Sequence, residues 1–172
     1  LDKDLRALMT VAGENSYDPV MLTGVLQRNE LQLREVMNKI TAAVGPSLYQ
    51  KRIALLGLAF KEGTNDVRHS LSIRLYRALR DQGAIVKGHD RLAVEEAVKL
   101  EPELNASENL ESVLNGAEIV VILNSEVDYA EIDWPSIGSR SIRPYVFDTR
   151  GILDRQSLAA NGLAFDVLGS VS

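Results

Sequence analysis

The sequence contains no cysteine. That excludes a disulfide framework and a thiolate metal site, and nothing in the chain requires an oxidising compartment. Histidine is nearly as scarce. The two present, His69 and His89, are too few and too polar in setting for zinc, so no metal is expected. No segment approaches about 18 consecutive apolar residues, the length a membrane-crossing helix needs. The opening "LDKDLRAL" is not the basic-then-apolar pattern of a targeting segment. Positive charge is in the minority: the formal net charge is -5 and no basic stripe dominates any segment. The sequence-independent phosphate attraction of duplex-binding proteins is therefore missing. A soluble cytoplasmic protein with neither nucleic acid nor membrane as partner is expected. The absence of an initiator Met leads us to expect a fragment or a trimmed chain.

A further absence concerns phosphate binding. The stretch "IALLGLAFKEGTNDVRHS", residues 53–70, opens like a nucleotide-binding unit, with an apolar run ending at Gly57. The next small residue is Ala59, and Lys61, Asp66 and Arg68 follow before a helix can begin. This is too long and too charged for a GxGxxG turn, in which glycines let the backbone approach a pyrophosphate. Any binding here would be by side chain.

What is present is ordinary globular material: 172 residues, 45% hydrophobic and 25% charged, enough for one or two domains. From Asp4 to about Ala43 apolar residues recur at helical spacing, with Leu5, Leu8, Met9 and Ala12 on one face and Met21, Leu22, Val25, Leu26, Leu33, Val36, Met37 and Ile40 on another. Two helices are expected, broken near "GENSYDP". The second starts near Asp18, with Pro19 suited to its first turn, and runs roughly 25 residues, or ~37 Å. Such a helix fits a domain linker, a dimer seam, or packing along a single domain.

After "VGPSLYQKR" short apolar runs alternate with amphipathic stretches, the βαβ rhythm of a parallel sheet covered by helices on both faces. Strands are expected at Arg52–Leu58, Ile85–His89, Ile119–Leu123, Tyr145–Asp148 and Leu163–Val167, and helices near Ser70–Gln82, Leu92–Lys99, Asn109–Asn115 and Asp154–Ala160. The fold class is thus α/β, a Rossmann-like parallel sheet preceded by a helical segment. Residues 1–46 form the helical part and residues 47–172 the α/β domain.

In open α/β sheets ligands bind beyond the carboxyl ends of the strands, where strand order reverses. The residues there are charged: Phe60, Lys61, Asp66 and Arg68 after the first strand, Asp90 and Arg91 after the second, Asp148, Arg150 and Gly151 after the fourth. Lys61 and Arg150, projecting from neighbouring strand ends, could clamp a diphosphate, with Phe60 beside a sugar or base. The bland reading pairs them with Asp66 and Asp148 as solvated loop charges. Asp90 stands where a ribose-binding acid often ends the second strand, yet it lies farther from Gly57 than the roughly 20 residues of the fingerprint, so a turn or capping role is expected. His69 caps or faces water, His89 is a satisfied polar residue, Trp134 packs in the core, and "EVDYAEID" is a solvated helix face. Lys3 and Asp4 stand at a helix start, where an acid favours the dipole.

Taken together, "LDKDLRAL", "RNELQ" in the long helix, "KRIALLGLAFKEGTNDVRHSLSIRL", "ILNSEVDYAEIDW" and "VFDTRGILD" resemble the nucleotide-sugar dehydrogenases of the UDP-glucose and GDP-mannose dehydrogenase family. The resemblance spans essentially the whole chain, and the piece from Phe60 to Arg68 is its most specific part. It implies an NAD-dependent oxidation of a nucleotide-linked hexose at C6, in two steps through a thioester on a cysteine. UDP-glucose is the commonest substrate of the family, with GDP-mannose and UDP-N-acetylhexosamines as others. It also implies three parts: an amino-terminal NAD-binding Rossmann domain, a central region with a long dimerising helix, and a carboxyl-terminal domain for the nucleotide sugar. This chain is similar to the last two. "LDKD" resembles the end of the family's Cys-x-Pro-Lys-Asp motif, so the nucleophile would precede Leu1 and the chain alone would be inactive. The same resemblance makes Asp4 a catalytic acid that orients water and places Lys3 and Arg68 near NAD. It assigns Phe60, Lys61 and Arg150 to the nucleotide sugar. Asp2 departs from the family's proline, and "NSEV" from its Thr-Glu-Trp. The reading from another class is a non-catalytic, dimeric nucleotide-binding α/β module.

Overall fold

The computed structural model describes residues 2–168, with the side chains of Asp2, Lys3, Asn29 and Glu30 outside that description. The chain divides into two compact units, residues 1–39 and 40–172. The boundary expected from composition lay at the "VGPSLYQKR" texture change, whereas the division falls inside the second helix.

The first unit holds α1 (Asp2–Glu14) and most of α2 (Val20–Val44). α1 ends in a left-handed residue, Ser16 at φ 55°. The Tyr17 amide then bonds the Ala12 carbonyl at 2.9 Å and the Ser16 amide bonds the Gly13 carbonyl at 3.0 Å. These two bonds satisfy carbonyls the helix leaves over, which is why the chain turns at "GENSYDP". α2 begins as its first turn closes, with the Thr23 amide donating to the Pro19 carbonyl at 3.0 Å. The Arg28–Glu35 pair on α2 is exposed and holds Glu35 below the usual carboxylate range through its hydrogen bond to Arg28.

The second unit is a six-stranded sheet with strands β1 (Arg52–Leu56), β2 (Ile85–His89), β3 (Asn105–Ser107), β4 (Ile119–Ile122), β5 (Tyr145–Asp148) and β6 (Phe165–Val167). All pairs are parallel and the order is β3-β2-β1-β4-β5-β6, the doubly wound order with its switch between β1 and β4. Between the strands run α3 (Leu71–Asp81), α4 (Val94–Leu100), α5 (Leu110–Leu114), α6 (Val127–Ala130), α7 (Trp134–Gly138) and α8 (Arg155–Ala160). Each of four starts is set by a capping side chain: Ser70 accepts from the Ile73 amide, Asn109 from Ser112, Asp133 from Ser136 and Asp154 from Gln156.

The central strands are apolar on both faces because helices cover both. On one side Ala54, Leu56, Val120, Ile122 and Val146 join Val113, Leu114, Tyr129, Trp134, Ile137 and Leu158 in a single cluster. By the two-residue alternation of strands, Ile53, Leu55, Ile119, Val121 and Phe147 face the other side, all 2% exposed or less. Burying each such side chain contributes about 1.5–3 kcal/mol.

Three details differ from the sequence reading. β3 was not foreseen: "NAS" is short, polar and an edge strand, so it carries no apolar alternation to detect. β1 stops at Leu56 rather than Leu58, because Gly57 turns at φ 96°. "EVDYAEID" is not a solvated face, since Tyr129 within it is fully buried. Among the described residues no helix is long and apolar enough to cross a membrane.

Candidate functional site

The buried polar residues of the second unit, Glu101 apart, lie at the carboxyl edge of the sheet: His89, Asp90, Asn124 and Asp148 at strand ends, Ser70 and Ser72 at the start of α3. Register makes this edge level, with Leu56 opposite Ile122 and Ile122 opposite Asp148. β1 and β5 therefore flank β4, not each other. The expectation that Lys61 and Arg150 project from neighbouring strands is corrected: one strand separates β1 from β5, which at ~4.8 Å per strand puts the ends of those two strands roughly 10 Å apart. They do share one edge of the sheet.

Two carboxylates build the loops at this edge. Asp90, 1% exposed, accepts the Leu58 and Ala59 amides on one oxygen (2.9 and 3.0 Å) and the Leu92 and Ala93 amides on the other (2.9 and 3.0 Å). It ties the loop after β1 to the loop after β2, the capping role expected for it. Asp148 does the same after β5, accepting from the amides of Arg150, Gly151 and Leu153. It holds Arg150 by its backbone and leaves its side chain alone. The Arg150 Nε instead donates to the Leu123 carbonyl at the tip of β4, 2.8 Å away. The guanidinium thus leans toward the switch point.

The loop after β1 is a small closed structure. The Phe60 amide donates to the Asp66 carbonyl (2.8 Å), the Thr64 hydroxyl accepts from the Asp66 amide, and the Asp66 carboxylate takes the Arg68 amide and guanidinium. The Arg68 contacts hold the Asp66 carboxyl near about 2, so this pair is ionised at any working pH. Past it, His69 is left-handed at φ 61° and exposed, as the chain turns into the Ser70 cap. The Ser72 hydroxyl closes the turn on the Gly57 carbonyl. The loop presents Phe60, 50% exposed, and Lys61, also exposed.

Among the described residues no acid pairs with Lys61 or Arg150, although Glu62, Asp66 and Glu126 are close in sequence or space to the same loop. The bland reading, in which Asp66 and Asp148 neutralise them, does not hold, because Asp66 is committed to Arg68 and Asp148 to backbone amides. Arg68 is the paired cation of the three. Asp4 lies on α1 in the first unit, exposed, and the Lys3 side chain lies outside the described residues.

A dinucleotide pyrophosphate does not fit the end of β1 through the backbone, since Asp90 already occupies the Leu58 and Ala59 amides that would cradle it. Among the described residues no cluster of acids and histidines has metal-binding form. Two surface grooves of ≈280 and ≈390 Å³ lie elsewhere, between α5 and α7, sharing Glu111, Leu114, Ile137 and Arg140. They contain none of the strand-tip residues, and the Arg140–Glu111 ion pair already neutralises the charges they share.

Sequence reasoning overlooked Asn124, Glu126 and the His89–Tyr129 contact. His89 Nδ1 lies 2.9 Å from the Tyr129 hydroxyl and Nε2 lies 3.2 Å from the Glu108 carbonyl, so the neutral ring donates to Glu108 and accepts from Tyr129. Burial lowers the His89 pKa and raises that of Tyr129. The Asp-Thr-Arg that begins at the end of β5, echoing the Asp-Arg after β2, was the one sequence signal that could have identified Asp148, like Asp90, as a loop builder.

Comparison with known proteins gives these features a setting. Residues 54–155 match the profile of the UDP-glucose/GDP-mannose dehydrogenase family, UDP binding domain. UDP-glucose 6-dehydrogenase of Rickettsia bellii is 29% identical over 170 residues, covering 98% of this chain and 39% of that protein. A solved UDP-glucose dehydrogenase from Pyrobaculum islandicum superposes with a TM-score of 0.80 at 27% identity, covering 91% of this chain and 34% of the other. GDP-mannose dehydrogenase from Pseudomonas aeruginosa, solved as a ternary complex, shares the fold with a TM-score of 0.75 at 23% identity, covering 90% and 36%. The chain thus spans about two fifths of the length of the curated relative or less.

Proposed function

The chain belongs to the UDP-glucose/GDP-mannose dehydrogenase family, and from that premise we propose that it is the substrate-binding and dimerisation portion of an NAD-dependent nucleotide-sugar 6-dehydrogenase acting on UDP-glucose. The observation that carries this reading is the pair of cations without acidic partners, Lys61 and Arg150, on one edge of the sheet astride β4. A diphosphate supplies the negative charge they lack. Phe60, half exposed beside Lys61, packs against the sugar or base. These contacts lie remote from the reacting carbon, and their binding energy serves to position it.

Chemistry at C6 needs a nucleophile that the chain does not contain, since it has no cysteine. In this reading the nucleophile and the dinucleotide fold belong to another part of the enzyme. NAD, when bound, supplies the hydride acceptor. The family resemblance assigns Arg68 and Lys3 to that cofactor and Asp4 to the water that releases the product. α2 forms the seam of a homodimer, and the setting is cytoplasmic. The chain by itself gives no turnover.

Calorimetry with UDP-glucose, UDP and GDP-mannose tests the proposal. Lys61→Ala is expected to weaken UDP-glucose binding by about 1–3 kcal/mol, the worth of a hydrogen bond to a charged group. Equal binding by the wild type and this variant would remove the loop from the substrate site.

A further inference from the structure

The loop that carries Phe60 and Lys61 is anchored twice, each time by a carboxylate from another element. Its root is held by Asp90, through the Leu58 and Ala59 amides. Its tip is held by Glu126, whose Oε1 accepts the Gly63 amide at 2.9 Å. Glu126 stands at the N-cap position of α6, yet its side chain makes no capping bond to its own helix. The carboxylate is spent instead on the opposite loop. Its backbone is set in turn by Asn124, whose Oδ1 lies 3.4 Å from the Glu126 amide and whose side chain packs onto Gly57 at the end of β1. Asp128, two residues on, meets Arg91 of the loop after β2 at 3.3 Å. The connection after β4 therefore grips the connections after both β1 and β2.

From this geometry we infer that Glu126 is a positioning residue: its carboxylate holds the tip of the Phe60–Asp66 loop across the switch point, so that Phe60 and Lys61 meet the nucleotide sugar already ordered. The inference rests on the nucleotide-sugar reading above. The segment from Phe60 to Gly63 is exposed and has no anchor of its own between root and tip except the Phe60–Asp66 backbone bond. Without Glu126 its ordering would be left to the ligand, at a cost in affinity and not in fold stability.

Three measurements on the chain test it: UDP affinity by calorimetry, amide exchange at Gly63, and the thermal midpoint. Glu126→Ala is expected to raise the UDP Kd about tenfold and to speed exchange at Gly63, with an unchanged midpoint. Glu126→Gln keeps an acceptor at the same place and is expected to restore the Kd to within about threefold of wild type. Unchanged Gly63 exchange in Glu126→Ala, or wild-type affinity despite faster exchange, overturns the clasp while leaving the function reading intact. Failure of Glu126→Gln to rescue the affinity overturns it as well. No UDP binding by the wild type at millimolar nucleotide sinks the function reading, and the clasp with it.

Discussion

Gly57 turns at φ 96°, a conformation that L side chains rarely adopt, and a methyl there would lie 2.4 Å from Asn124 Cγ and Oδ1. Asn124 cannot simply retreat, being fully buried between the tips of β1 and β4. Gly57→Ala is therefore expected to lose about 2–4 kcal/mol, the sum of left-handed strain and overpacking. Urea unfolding checks this as a lower midpoint at unchanged slope. Gly63, at φ 70° with open space around its Cα, is the control, and alanine there should cost only about 1–2 kcal/mol. At this scale the cations Lys61, Arg68 and Arg150 were legible in the sequence as candidates. Which of them was neutralised was not: the Arg68–Asp66 pair is a matter of rotamers in a closed loop, and the freedom of Arg150 depends on Asp148 turning its oxygens to backbone amides.

At the scale of elements, the four-residue helix α6 has influence beyond its length. Through Tyr129 it meets His89 edge-to-face at 5.5 Å between ring centroids, locking the end of β2. Burial lowers the His89 pKa against the opposing pull of the Glu108 carbonyl, Asp90 and Asp128, with Arg91 adding slightly to the lowering. The folded state therefore resists the proton that the unfolded chain accepts near about pH 6.5. Stability from this site is complete above that pH and is lost as pH falls through it toward the lower folded value. The unfolding free energy is expected to drop as pH falls below about 6.5, and His89→Gln should be less stable at pH about 8 but flat across that fall. A wild-type slope that survives in His89→Gln would assign the titration to another group. The sequence marked His89 as a satisfied strand-end residue, but its partner lay in a stretch read as solvated. "EVDYAEID" has the charge of a surface helix, and only docking against the β2 edge sends Tyr129 inward.

For the whole molecule, the second unit contains the complete sheet, both helix layers and the strand-tip loops. Residues 40–172 produced alone are expected to unfold cooperatively, with the circular dichroism of a mixed α/β domain, and to bind UDP as the longer chain does. A non-cooperative transition would show that residues 1–39 are part of the same folding unit. The division within α2 could not be read from composition, because the helical pattern runs unbroken through Lys39 and Ile40, while the texture changes only after Val44.

What the sequence by itself determined is the class of fold and where to look: apolar β-branched runs at two-sided burial, helices between them, and charge gathered after the strands. These follow from local spacing and composition, which a linear reading contains. Only the tertiary structure decided that β4 lies between β1 and β5, that "NAS" closes an edge, and that Asp90, Asp148 and Glu126 bond to amides far away in the chain. The reason is physical: strand order and hydrogen-bond partners between distant segments are set by which surfaces the packed sheet brings together, and spacing along the chain carries no record of that choice.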